Sequence, residues 1–249
     1  MLKGIIFDLD GVIVDSHSAH KKAWRALLES LGRNVDETAL DFVVEGHRRE
    51  EILRHFLGEL SADEVQRLGA MKRELFAAVA HEVKTIPGVV EFVRAATDAR
   101  LALAVGTSAG RKRAEETLDL SGLRSHFQAV ITGDDVRAGK PDPAVFCQAA
   151  EGLGIAAEHL LVCEDAVLGV QAAKRAGMKC LAIAANGRRA LLEGAGADWV
   201  VQHFTEISVQ KLQNLFLKRT STGRSGSHPN EPNAGSSGAP GLCHTSLED

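Results

Sequence analysis

Leu2-Lys3-Gly4-Ile5-Ile6-Phe7-Asp8-Leu9-Asp10-Gly11-Val12 is an apolar run of strand character that stops in two carboxylates spaced by two. Side chains two apart on an extended segment point to the same side, so Asp8 and Asp10 share one pocket. In an open α/β sheet, ligands bind in the crevice beyond the carboxyl ends of the strands. A strand ending in Asp-x-Asp-Gly therefore offers a nucleophile or a metal ligand to that crevice, and Gly11 lets the chain turn away. An ordinary turn built from Asp and Gly has the same local composition. The downstream segments separate the two readings.

From Pro87 onward the chain alternates. The pattern predicts a helix near 89–97, a strand over 101–105, a helix near 113–118 and a strand over 127–131. It continues with a helix over 143–151, a strand over 160–163, a helix over 166–176 and a strand over 180–184. A short helix near Ala190 and a strand around 199–201 complete the series. Strands separated by helices imply an α/β fold with a doubly wound, parallel, Rossmann-like sheet, which the first strand must join. Residues 16–85 break the alternation. Trp24, Leu27, Leu28 and Leu31 form an apolar stripe ending at Gly32, and Ile52, Leu53, Phe56 and Leu57 form another before Gly58. Ser61 and Glu64 make a capping-box start for a long third helix. The expected organisation is a core over 1–15 and 86–217 with an all-helical cap domain inserted over 16–85. Hung on the loop that carries both acids, the cap sits over the pocket. The Gly-, Ser-, Pro- and Asn-rich stretch 218–249 is expected to be a disordered tail.

The 249 residues, 45% apolar and 25% charged, suffice for one domain plus an inserted one. A net charge of -4 without a long basic run leaves no footprint for nucleic acid or an anionic membrane. Cys147, Cys163, Cys180 and Cys243 lie far apart with no Cys-x-x-Cys spacing, which suggests neither a zinc cluster nor a disulfide framework. The opening apolar run is too short for a signal-peptide core or a membrane span, and a cytoplasmic location is expected. Oligomeric state is left open.

Three more strand ends carry polar residues: Thr107-Ser108, then Gly139-Lys140-Pro141-Asp142-Pro143, then Glu164-Asp165. In a parallel sheet these ends share one edge, so acids, a hydroxyl and a lysine converge with Asp8 and Asp10. That set suits phosphoryl transfer to or from a small phosphorylated metabolite. Hard carboxylate oxygens suit Mg²⁺, a lysine offsets phosphate charge, and a hydroxyl with nearby amides grips phosphate oxygens.

Four such segments in this order resemble the four motifs of the haloacid-dehalogenase superfamily, over roughly residues 1 to 210. The resemblance implies that Asp8 is the nucleophile forming an aspartyl-phosphate and Asp10 the general acid and then base. Thr107 and Lys140 would hold the phosphoryl group, with Ser108 as a backbone-amide neighbour. The metal would be held by the Asp8 carboxylate, the Asp10 backbone carbonyl and Asp165, with Glu164 assisting directly or through water. An acid two residues after the nucleophile is what the superfamily's phosphatases and phosphomutases carry. Within it, Asp15-Ser16 through His20 and Trp24, and the cap segment Glu45-Gly46-His47-Arg48-Arg49-Glu50-Glu51, resemble the β-phosphoglucomutase and sugar-phosphatase branch. That likeness assigns His20, His47 and Arg49 to specificity, with His47, Arg48 and Arg49 facing the pocket and Arg49 binding the phosphate that is not transferred. The mutases have lysine where this chain has Glu45, and Ser-x-Ser-Lys-Asn where it has Thr107-Ser108-Ala109-Gly110-Arg111. Fewer cationic and polar grips favour an Mg²⁺-dependent hydrolase of sugar phosphates or phosphoglycolate-type esters over a phosphomutase.

Two other classes compete. Gly106-Thr107-Ser108-Ala109-Gly110 matches the nucleophile elbow of serine hydrolases, with Asp165 and His203 following in order. That reading leaves Asp8, Asp10 and Lys140 unexplained. A phospho-receiver module would also gather acids, a hydroxyl and a lysine around Mg²⁺, but it needs no lid.

Overall fold

The computed structural model describes residues 1–185 and 187–218. Six parallel strands form the sheet: β1 (Gly4–Phe7), β4 (Ala102–Gly106), β5 (Ala129–Ile131), β6 (Leu160–Glu164), β7 (Lys179–Ile183) and β8 (Trp199–Val201), in the order β5-β4-β1-β6-β7-β8. Every pairing is parallel, with Phe7 opposite Val105 on one side and Cys163 on the other. β1 is thus central, and Asp8 leaves the middle of the sheet edge. Helices α4 (Val89–Asp98), α5 (Arg111–Leu120), α6 (Ala144–Leu153), α7 (Val167–Arg175) and α8 (Arg189–Gly194) connect the strands.

Alternation along β1 sends Ile5 and Phe7 to one layer and Ile6 to the other. Ile5 and Phe7 pack with Val89, Phe92 and Val93 of α4, and Phe7 meets Phe92 and Phe127 edge to face at 6.2 and 5.8 Å. Ile6 packs with Phe146 and Ala149 of α6 and Val170 of α7. Leu212 and Phe216 of α9 (Val209–Lys218) close the first layer. This last helix has no counterpart in the sequence reading. The tail reading falls, from residue 219 on, outside the described residues.

The inserted segment carries α1 (His17–Ser30), α2 (Arg49–Leu57) and α3 (Ala62–Val79) around a core of their own, built on Trp24, Leu27, Leu28, Leu53 and Leu68. The capping box at Ser61 is present in full. The segment is not purely helical, because its two ends pair: β2 (Val14–Asp15) and β3 (Lys84–Thr85) form a short antiparallel ribbon at the junction. Among the described residues no helix is long and apolar enough to cross a membrane. Cys163 and Cys180 are free, buried thiols.

Candidate active site

One cavity of about 790 Å³ lies between the sheet edge and the inserted helices. Asp8, Asp10, Thr107, Ser108, Lys140, Glu164 and Asp165 line it from the core, and His20, His47 and Arg49 from the insertion. The structure therefore brings these ten residues to one chamber.

At its floor the Lys140 ammonium, 3% exposed, donates to Asp8 Oδ1 and to Glu164 Oε1, both at 2.6 Å. One lysine cannot neutralise both partners with Asp10 and Asp165 close by. Burial first, and then the charges of Glu164, Asp10 and Asp165, push the Asp8 carboxyl up to about 8 in spite of Lys140. Lys140 itself is pushed up by Asp8 and Glu164 against the effect of burial. The second oxygen of Glu164 accepts from the Asp165 and Ala166 amides at 2.8 and 2.9 Å, at the entry to α7. Glu164 thereby supports both Lys140 and the start of α7. Gly169 makes this possible: a Cβ there would stand 1.8 Å from Glu164 Oε1. Gly11, at φ +75°, likewise admits Asp165, whose Oδ2 would lie 2.1 Å from a Cβ.

Thr107 is buried, and its Oγ1 accepts from the Ala109 amide at 3.1 Å, which shapes the loop after β4. Ser108 Oγ donates to the Gly46 carbonyl of the cap at 2.9 Å. A hydroxyl committed to the cap, without a histidine partner, does not form the nucleophile elbow's charge relay. His203 is not among the residues lining the cavity.

Asp10 is held by more groups than the sequence indicates. Arg113 of α5 donates to both its oxygens, Ser16 Oγ donates to Oδ1 at 2.5 Å, and His20 Nε2 stands 3.4 Å away. Burial raises the Asp10 carboxyl, but Arg113 and then His20 hold it well below the usual carboxylate range. His20, lowered to about 3 by burial and then by Lys72, accepts at Nδ1 from Lys72 Nζ at 2.7 Å. Lys72 is 6% exposed and lies over the Phe76 and Trp24 rings at 4.7 and 5.6 Å. Burial, then Arg113, lowers it to about 7. His17 Nε2 lies 3.0 Å from Asp165 Oδ2; burial works to lower its pKa, but Asp165 raises it on balance.

His47 stacks on Phe42 at 3.9 Å, and its Nδ1 lies 3.4 Å from Glu51. Arg49 reaches the cavity with a buried Nε that has no hydrogen-bond partner. Arg48 does not face the cavity. As the residue that starts α2 it turns to the core, where Nη1 donates to the Arg137 carbonyl at 2.9 Å. This corrects its place in the specificity segment. Sequence reading missed His17, Lys72 and Arg113; each resembles a solvated helix cation, and only the fold turns them inward.

A parallel α/β sheet with a helical insertion over a lysine-bridged pair of acids defines a phosphoryl-transfer class of enzyme. Residues 5–183 match the family model described as haloacid dehalogenase-like hydrolase, and the chain belongs to that family. It is 32% identical over 225 residues to a phosphorylated carbohydrates phosphatase of Thermotoga maritima, across 84% of this chain and 99% of the relative. It is 31% identical over 242 residues to the β-phosphoglucomutase of Mycobacterium bovis, across 83% of this chain and 91% of that one. The crystal structure of a Clostridium difficile β-phosphoglucomutase shares the fold, with a TM-score of 0.79 at 23% identity over 89% of this chain and 100% of its own.

Proposed function

We propose that this family member hydrolyses small phosphate monoesters, of sugar-phosphate or phosphoglycolate type, through an aspartyl-phosphate on Asp8. The observation that carries the reading is the Asp8–Lys140–Glu164 bridge at the floor of a chamber roofed by the inserted helices. The Asp8 carboxylate attacks phosphorus, an O–P bond forms, and the ester P–O bond breaks. The leaving alkoxide takes a proton from Asp10, which must first leave Arg113 and be protonated to act as the acid. Asp10, now a carboxylate, accepts a proton from water as the water attacks the acyl phosphate, and inorganic phosphate leaves. Lys140 and the Thr107 loop hold the phosphoryl oxygens.

No group of three His, Cys, Asp or Glu side chains among the described residues forms a metal cage. A site for Mg²⁺ needs none, since this ion keeps several waters and takes one or two carboxylates. The donor chemistry fits: Asp8, Asp10, Glu164 and Asp165 gather around two firmly charged cations, Lys140 and Arg113. In this reading Mg²⁺ is held by the Asp8 and Asp165 carboxylates and the Asp10 carbonyl, and when bound it supplies countercharge to the phosphoryl oxygens. A small phosphorylated metabolite as partner and a cytoplasmic location belong to the same proposal.

The test is phosphate release from a panel of monoesters with Mg²⁺, with and without chelator. Asp8→Asn is expected to abolish turnover and Ser108→Ala to keep a substantial fraction. The reverse ranking, with activity surviving chelator, would establish a serine hydrolase. The likeness to a β-phosphoglucomutase supports a second reading, phosphomutase, and interconversion of glucose phosphate isomers by the native enzyme would favour it.

A further inference from the structure

One ion pair in the cavity, Arg113 with Asp10, takes no step as a pair in the phosphatase scheme above. Arg113 stands in the first turn of α5 behind Arg111 and Lys112, where the helix N-terminus already presents positive charge and cations are disfavoured. It turns inward and takes both oxygens of Asp10, while Ser16 and His20 crowd Oδ1. The proposed acid–base group is therefore pinned by the guanidinium fork, with Oδ1 crowded by three groups and Oδ2 held by Arg113.

Around it, positive charge is in excess. Arg113 lies over the Phe76 ring at 5.5 Å and Lys72 over the same ring at 4.7 Å. The hydrogen-bond partner of Lys72 is the His20 imidazole, and the buried Nε of Arg49 has none. Among the described residues Asp10 is the only carboxylate paired with any of these three cations. Lys72 is buried and the two arginines are half-buried, and cations so placed without enough anions make a receptor for an anionic group. Its resting occupant is the carboxylate of Asp10, and the guanidinium fork accepts another carboxylate in the same two-point geometry.

We propose that Arg113 selects substrates with a second, carboxylate group, which replaces Asp10 on the guanidinium and frees Asp10 for proton transfer. The substrate class is then a phosphorylated hydroxy or sugar acid, and Arg113 is a positioning residue for Asp10 as well as a specificity residue. This rests on the phosphatase reading. It explains why a cap with few cations needs one from α5: the remote anion is sensed by the same residue that restrains the acid–base group.

The experiment compares 6-phosphogluconate with its alcohol counterpart, sorbitol 6-phosphate, and with para-nitrophenyl phosphate, in the native enzyme, Arg113→Met and Arg113→Lys. The native enzyme should favour the acid over the alcohol by about tenfold or more in kcat/KM, the scale of one charge-assisted pair. Arg113→Met should erase that preference through KM, yet raise kcat for para-nitrophenyl phosphate, because Asp10 is then unrestrained. Arg113→Lys, with one charge and no fork, should keep part of the preference, and it carries the comparison if the methionine variant folds poorly. Equal losses on all three esters, or an unchanged acid-to-alcohol ratio, would overturn the proposal. Gluconate binding by calorimetry, expected in the native enzyme and lost in Arg113→Met, separates the two levels. Binding without any phosphate release would count against the phosphatase reading alone, and absence of binding against the receptor.

Discussion

Replacing Lys140 by methionine preserves the length of the side chain and removes its charge. The ammonium is 3% exposed and bridges Asp8 and Glu164 at 2.6 Å each. Deleting one partner of a buried ion pair costs about 3–5 kcal/mol, because the remaining charge is stranded. For a chain of this size about 1 kcal/mol moves the Tm by roughly 2–4 °C, so calorimetry should show a fall of about 6–20 °C. The pH dependence has a definite sign. The folded carboxyl of Asp8 is raised from 3.8 to about 8, so the native state binds more protons than the unfolded chain, and stability is lost as pH rises through that window. Native enzyme and variant share this loss up to about pH 8. Above it the native carboxyl is ionised and the loss levels off, whereas in the variant Asp8, deprived of Lys140, still holds its proton and the loss continues. Lys140's own pKa is raised, so its contribution is constant below 10.5. The Tm difference should therefore widen from pH 7 to pH 9. A fall of less than about 2 °C, or a difference that closes as pH rises, would refute the view that Lys140 is the countercharge of the floor.

Asp10→Asn should lower kcat by at least about a hundredfold, with KM little changed, since acid–base contributions start at that scale; near-normal turnover in a steady-state assay would remove Asp10 from the mechanism. Arg49→Ala should raise KM for an ester with a remote anion far more than for para-nitrophenyl phosphate, while Lys140→Ala harms both; equal effects of Arg49→Ala would make that arginine a packing residue. Mg²⁺ at about a hundred times its Kd should add about 2.7 kcal/mol of stability, read as a rise in Tm that chelator reverses and Asp165→Asn abolishes.

Legibility in the sequence followed periodicity. The strand ending at Asp8 and those after Leu101 and Leu160 could be read because buried parallel strands are apolar runs that stop at polar residues. Ser61 and Glu64 gave away α3 because a capping box is local chemistry. Residues whose role depends on orientation were hidden. Arg111, Lys112 and Arg113 look alike in sequence, yet Arg113 alone of the three reaches Asp10. Lys72 reads as a helix-surface lysine and is buried, and Arg48 and Arg49, adjacent in the chain, point to different domains. A two-residue ribbon such as β2–β3 carries too few side chains to leave any pattern. The amphipathic α9 merged with the polar stretch that follows it.

That ribbon bears on how such a protein changes over evolution. Val14 faces Thr85 and Asp15 faces Lys84, so the whole inserted segment enters and leaves the core through neighbouring backbone positions, and the Ile86 amide donates to the Ile13 carbonyl directly below. Because the ends already meet, lengthening what lies between them carries only a logarithmic entropic cost, about 0.6 kcal/mol for each doubling of a flexible loop. The insertion can thus grow, shrink or be exchanged as a cassette without moving Asp8. New substrate ranges are then open to recombination at two adjacent residues while the chemistry beneath stays fixed.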